Sequence, residues 1–215
     1  GCDIASCKST LELCDKFSYV YGAVGIHPHE AEDAPENAVE LIRELAKHKK
    51  AVAIGEIGLD YHYDFSPREI QKDIFERQLI LANELELPVI VHDRESHQDT
   101  LDLLTKYRPK GVVHCFSGSA QMAQEIVKLG MYIGLGGAVT FKNAVKPVEV
   151  AEMIPLDRLL LETDCPYMAP VPMRGKRNNS AYLTYVIEEI ANLRGMMAEE
   201  VENLTEANAK ALYRL

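Results

Sequence analysis

The chain is poor in cysteine, short of positive charge and free of long apolar runs, and each shortage removes a class of protein. Its five cysteines (Cys2, Cys7, Cys14, Cys115 and Cys165) are odd in number, and none forms a Cys-x-x-Cys pair. That argues against a disulfide framework and against a cysteine-based zinc site, and it suits a reducing cytosol. Lysine and arginine number 23 against 33 aspartates and glutamates, a formal net charge of −10. This argues against a broad basic face that grips duplex nucleic acid without regard to sequence. A phosphate substrate is still allowed, because bound cations and one basic loop can reverse the potential inside a cleft. No run of 18 apolar residues occurs, so no membrane span and no membrane partner are expected. The opening GCDIASCKS has no basic start leading into an apolar stretch, so no signal peptide is expected and a cytoplasmic location follows. No glycine-rich phosphate loop follows a strand, so a nucleotide-binding doubly wound sheet lacks its usual mark.

What the chain has is a core. Hydrophobic residues make up 47% of 215 positions, enough for a single large domain spanning 1–215. Four apolar runs end on, or carry, a residue that binds metals or moves protons: AVAIGE with Glu56, LPVIVHD with His92, GVVHCFSG with His114 and LLLETD with Asp164. A short run of Val, Ile, Leu and Ala bounded by turn residues reads as a buried parallel strand. Barrels of parallel strands and helices place their chemistry at the C-terminal strand ends. A glutamate, two histidines and an aspartate from four such ends suit a divalent metal held by nitrogen and oxygen.

Strands and helices alternate nearly to the end. Strands are expected near 21–27, 51–57, 88–92, 111–116, 131–136 and 158–163. Helices are expected at 6–17, 35–49, 66–87, 96–107, 120–129, 147–154, 180–194 and 198–213, the last two separated by Gly195. Ser66-Pro67 reads as a capping serine followed by proline at the first helical position, and Ile70, Ile74, Gln78 and Leu81 mark the inward face of that helix. Six strand–helix units imply a parallel sheet covered by helices. A closed (β/α)₈ barrel needs eight, so the first one to two strands are expected to lie outside this chain.

The motifs GIHPH at 25–29, GEIGLDYH at 55–62, VHDR at 91–94, HCFSG at 114–118, LLETDCPY at 160–167 and RGKRN at 174–178 together resemble the TatD family of metal-dependent hydrolases. They stand in the family's order and cover almost the whole chain. The resemblance implies an α/β TIM barrel, a one- or two-metal centre and hydrolysis of phosphodiesters in DNA. The family's His-x-His at the end of the first strand is not in this chain, which fits the missing strands.

The resemblance also implies roles. Glu56 bridges two divalent ions (magnesium, manganese and zinc all suit these ligands), and His92 and His114 ligate the second. The ordinary alternative for Glu56 is pairing with an arginine or a backbone amide, since a buried lone carboxylate is costly. Asp164 either caps a turn or ligates the first metal and takes a proton from the attacking water. Pro28 stiffens the chain at His27, whose expected work is hydrogen bonding to the scissile phosphate or leaving group. Asp60 and Tyr61 share a loop with Glu56 and are candidates to orient ligands or substrate, with plain packing the alternative for Tyr61. His29 faces either the cleft or solvent, and His62 lies just past a strand end. Arg174, Lys176 and Arg177 form the one basic cluster and are expected at phosphate, with a solvated loop as the alternative. Ser180 stands where the family usually has proline, which leaves that loop's shape open. Phe116 either stacks on a base or packs in the core. Cys115 and Cys165 are expected to point away from the site as small buried residues.

The expected function is a phosphodiesterase acting on DNA, on single strands or ends, from a full-length protein that is monomeric. Two alternatives stand beside it. One is a metallohydrolase of carboxylic esters or amides, such as an aminoacyl ester on RNA, which would use the same ligands. The other is a non-catalytic binding protein with an incomplete metal site.

Overall fold

The protein is described over residues 1–215 by a computed structural model. Its contacts divide it into two units, one covering residues 1–112 and one covering residues 113–213.

The first unit begins with α1 (Ile4–Lys16), opened by a reciprocal cap in which the Asp3 carboxylate accepts the Ser6 N–H and the Ser6 hydroxyl accepts the Asp3 N–H. Then follow β1 (Gly22–Val24), α2 (Ala38–Leu45), β2 (Ala51–Asp60), α3 (Arg68–Glu84), β3 (Val89–Arg94) and α4 (His97–Tyr107). The three strands are neighbours in chain order and parallel. Ala53, Ile54, Ile57 and Leu59 of β2 and Val89 and Val91 of β3 are buried, as are Phe75, Leu79 and Ala82 of α3. Each large side chain so buried contributes about 1.5–3 kcal/mol.

The inward face of α3 is the expected one at Ile74, Gln78 and Leu81 and differs in its first turn. Ile70 is 37% exposed, while Gln71 and Gln78 are buried. Their amides serve the main chain. Gln78 Oε1 accepts the Ile26 N–H at 2.7 Å and its Nε2 donates to the Ile26 carbonyl at 3.0 Å. Gln71 does the same for Asp60, accepting its N–H at 2.8 Å and donating to its carbonyl at 3.1 Å. Ser66 is not the helix cap either. Its hydroxyl accepts the Glu32 N–H and donates to the His29 carbonyl, each at 3.1 Å, so it fastens the segment after β1 instead.

The strand β2 runs to Asp60, three residues past its expected end, and carries a bulge. Ile54 pairs with Val89 and Ile57 with Val91, so β2 spends one extra residue there. A bulge re-aims the side chain it carries, and Glu56 lies within it. Further along, Gly58 has φ +146°, and a Cβ there would fall 1.9 Å from the His92 carbonyl oxygen. Only glycine lets β2 lie this close to β3 beside His92.

The strand β4 (Gly111–Val113) leads the chain into the second unit. That unit continues with α5 (Ala120–Lys128), β5 (Tyr132–Leu135), α6 (Lys146–Met153), β6 (Leu159–Leu161), α7 (Leu183–Arg194) and α8 (Ala198–Tyr213). Here β4, β5 and β6 follow in order, with Ile133, Gly134 and Leu135 opposite Leu159, Leu160 and Leu161 in parallel register. The core is built from Ile126, Met131, Ile133, Val150, Leu159, Val186, Ile190 and Val201. Asn208 of α8 donates to the Leu156 and Leu159 carbonyls at 2.7 and 2.8 Å and so fixes the start of β6. The strands β4 and β6 end earlier than expected, before His114 and Glu162 respectively. The backbone turns at His114 and Cys115, where Cys115 takes φ +46°.

Candidate metal centre

Two groups of side chains could each hold a cation, one in each unit. In the first, a ligand atom each from His27, Glu56 and His92 lie within 4.8 Å of one another. Glu56 Oε1 is 3.0 Å from His92 Nδ1 and 3.6 Å from His27 Nε2. The rings of His27 and His92 are 4.7 Å apart.

Behind these lies Asp60, with no exposed side-chain surface. Its Oδ2 is 3.0 Å from His92 Nε2 and 2.8 Å from His29 Nε2. Its Oδ1 accepts the N–H groups of His62 and Tyr63 at 3.0 and 2.9 Å. Burial acts to raise the Asp60 pKa, but the bonds from His92, the Tyr63 N–H and His29 outweigh it and hold the carboxyl below the usual range. Asp60, expected to orient ligands or substrate, is enclosed, and what it touches is histidine.

His27 is held at its first ring nitrogen. Nδ1 accepts the His29 N–H at 3.2 Å. Burial pushes its pKa down, against the opposing pull of Glu56. A neutral imidazole whose Nδ1 accepts must carry its proton on Nε2. His27 therefore presents an N–H donor on the side of Glu56.

In the second unit His114, Cys115 and Glu162 each place a ligand atom within 4.8 Å of the others. His114 Nδ1 is 3.6 Å from Glu162 Oε2, and the Cys115 N–H donates to Glu162 Oε1. Gly134 makes room for this, since a Cβ there would meet the Glu162 carboxylate at 2.6 Å. Burial first and then the Glu162 charge push the Tyr213 phenol up to about 12. Asp164 stands two residues past Glu162, half-buried, and its carbonyl accepts the Tyr167 N–H at 2.7 Å.

Several expected positions come out otherwise. Tyr61 donates its hydroxyl to Asp99 at 2.6 Å and lies under the Arg68 guanidinium at 4.2 Å, so its polar end is committed there. Phe116 is 4% exposed, with its ring edge beside Gly118, which leaves no open ring face for a base and fits the alternative of core packing. Cys165 is exposed, and Cys115 is half-buried within the His114 group. The turn at Cys115 ends the strand alternation on which the opposite expectation rested. His62 pairs with Glu95 at 2.8 Å near the surface.

Arg174, Lys176 and Arg177 are exposed. The Arg174 guanidinium lies over the Phe141 ring at 4.0 Å and donates to the Ala169 carbonyl at 3.2 Å. The loop carrying them is pinned at its far end by the buried Asn178. Its Nδ2 donates to the Tyr167 carbonyl at 2.8 Å, and its N–H to the Pro166 carbonyl at 3.0 Å.

Three residues at or beside these groups differ from the expected set: Cys115, described above, His29 and Glu162. His29 follows His27 by two residues and shares Asp60 with His92, and Glu162 precedes Asp164 by two. Spacing by two beside a named site residue was the available signal, although His29 lies in the short 3-10 turn Pro28–Glu30 and not on a strand. The donors fit a divalent ion of the borderline or hard kind, since imidazole nitrogen and carboxylate oxygen dominate both groups.

Comparison with known proteins shows the family and the fold. The family model described as TatD related DNase matches residues 1–214. The chain is 46% identical over 218 residues to the uncharacterized metal-dependent hydrolase YabD of Bacillus subtilis, covering 100% of this chain and 86% of that protein. It is 34% identical over 223 residues to the 3'-5' ssDNA/RNA exonuclease TatD of Salmonella typhimurium, again covering 100% and 86%. The crystal structure of YjjV, a TatD homologue from Escherichia coli K12, superposes with a TM-score of 0.94 at 33% identity, covering 100% of this chain and 85% of that one. The fold class is accordingly α/β of the TIM-barrel metallohydrolase type, with six parallel strands in this chain.

Proposed function

Since the chain belongs to the TatD-related DNase family of metal-dependent hydrolases, we propose that it cleaves phosphodiester bonds in DNA, acting on single strands or on ends. The observation that carries this reading is the Glu56–His92–Asp60 line in the first unit. One imidazole lies between a partly open carboxylate and an enclosed one, an arrangement that metal-ligating histidines commonly have. The exonuclease activity named for the Salmonella relative supports the choice of substrate.

Two divalent ions, when bound, would supply the charge that activates water and offsets the developing charge on phosphorus oxygens. Glu56, His92, His114 and Asp164 would hold them. His92 would be a ligand, with Asp60 fixing its ring and tautomer. Asp164 accepts the proton of the attacking water, a role that needs a carboxylate kept ionised at neutral pH. His27 donates its Nε2–H to an oxygen of the scissile phosphate, a donor already in place before charge develops there. Arg174 and Lys176 take flanking phosphates, Arg174 with a planar fork.

The test is degradation of a labelled single-stranded oligonucleotide by the purified protein with magnesium, manganese or zinc, and again after chelation. Activity is expected with an ion present and none without. Degradation by a preparation shown metal-free by elemental analysis would overturn the reading.

A further inference from the structure

Beside the His27 group, two aromatic rings lie partly open to solvent. Tyr63 is 48% exposed and Phe65 is 63% exposed. They stack on each other with centroids 5.2 Å apart and planes 22° apart. The exposed Arg94 guanidinium sits 4.7 Å over the Tyr63 ring. Both rings meet His29 edge-on, at 5.5 and 4.8 Å, and the His29 ring is 4.4 Å from that of His27.

The stack is also held in place. The Tyr63 N–H donates to Asp60 Oδ1 at 2.9 Å, the same carboxylate that meets His29 and His92. Between the two rings, Asp64 is tied to Arg68 at 2.6 Å. Rigid, exposed, stacked rings with a guanidinium beside them are the features that bind an unpaired base through its π face. A protein partner would need a far larger apolar patch than two rings. A duplex would not present a free base face.

We propose that Tyr63 and Phe65, with Arg94, form a stacking platform for one unpaired nucleobase of a single-stranded substrate whose adjoining phosphate is engaged at His27. The inference rests on the phosphodiesterase reading above and adds to it a residue-level basis for preferring single strands. Stacking is indifferent to which base is present, so the platform selects strandedness and not sequence.

The experiment compares two fluorescent probes of equal length under chelation, so that nothing is cleaved: oligothymidylate, and an abasic oligomer with the same phosphates and no bases. Anisotropy titration is expected to show that Phe65→Ala weakens oligothymidylate binding by about 5- to 100-fold. Tyr63→Ala with Phe65→Ala should weaken it further, and Phe65→Trp should restore it. Abasic binding should stay as in the parent. Because the rings are exposed, melting temperatures should stay close to the parent's, which a circular dichroism melt checks. Unchanged oligothymidylate binding in the double variant, or equal losses on both probes, would overturn the platform. If the parent degrades single-stranded DNA while the variants bind as it does, the platform alone falls. If the parent neither binds nor degrades any oligonucleotide, the phosphodiesterase reading falls with it.

Discussion

Asp60 reaches His92 from the enclosed side, with Oδ2 3.0 Å from Nε2, while Glu56 faces the other ring nitrogen. One imidazole thus has a buried acceptor that sets its orientation and an open side left for chemistry. Asp60→Asn keeps the shape but removes the charge that holds the ring. The affinity for divalent ion should fall about 10- to 100-fold, with part of the turnover regained at high ion concentration. Activity titrated against ion concentration checks this. An unchanged midpoint would mean that Asp60 does not act through His92.

The same carboxyl makes a prediction about pH. Its native pKa lies below that of an unfolded aspartate, about 3.9. Its stabilisation is therefore present above pH 4 and is lost as pH falls through the lower native value, because the unfolded chain takes a proton that the native one resists. Urea unfolding under chelation, repeated at several pH values, should show a steeper acid limb in the parent than in Asp60→Asn. Parallel limbs would remove Asp60 from the account.

Asp164→Asn should abolish turnover, by about 10²-fold or more, while the far-ultraviolet spectrum and melting temperature stay close to the parent's. If the pure variant kept turnover within a few-fold of the parent, another group would have to be the base.

Arg174→Ala combined with Lys176→Ala should weaken single-stranded DNA binding and leave ion affinity alone. Each phosphate that the variant no longer neutralises should lower the slope of log affinity against log salt by roughly 0.7. Binding titrations at several salt concentrations measure it. An unchanged slope would place these side chains in solvent, where Arg174 already has Phe141 to rest on.

Gln78→Met keeps the volume of the side chain but strands the Ile26 N–H and carbonyl, both of which Gln78 now satisfies. Two buried unpaired backbone groups should cost about 2–5 kcal/mol, read as a lowered urea midpoint. A loss under ~0.5 kcal/mol would mean that water replaces the amide.

The strand–helix alternation was legible because buried parallel strands are nearly all apolar, and the residue that ends each run stands out against it. Glu56, His92 and His114 were found that way. The same rule erred at Cys115, because alternation holds only while the strand continues, and here it stops at Val113. Glu162 was passed over for the same reason, read as strand when it already lies in the segment beyond β6. The bulge that aims Glu56 left no trace in composition, since a bulge is a count of residues against a partner strand and the partner is not visible in one strand's sequence. Gln78 was legible on the inward face by its spacing from Ile74 and Leu81, whereas Gln71 was hidden because a polar residue on a helix reads as solvent-facing until the main chain it serves is known. Tyr61 shows the converse. It stands in a motif, yet Asp99 and Arg68, distant in sequence, decide where its hydroxyl goes.

Gln71 and Gln78 make α3 a ruler. They stand seven positions apart, about 10.5 Å along a helix axis and nearly two full turns, and their amides grip two different pieces of chain, one leading to His27 and one ending in Asp60. The separation of those pieces is thus written in helix length and not in hydrophobic fit alone. Inserting a single alanine between the two glutamines would keep helical propensity intact yet rotate one amide by about 100° relative to the other. Only one of the two grips could then survive, so α3 should tolerate exchange of its exposed residues far more readily than any change in their number.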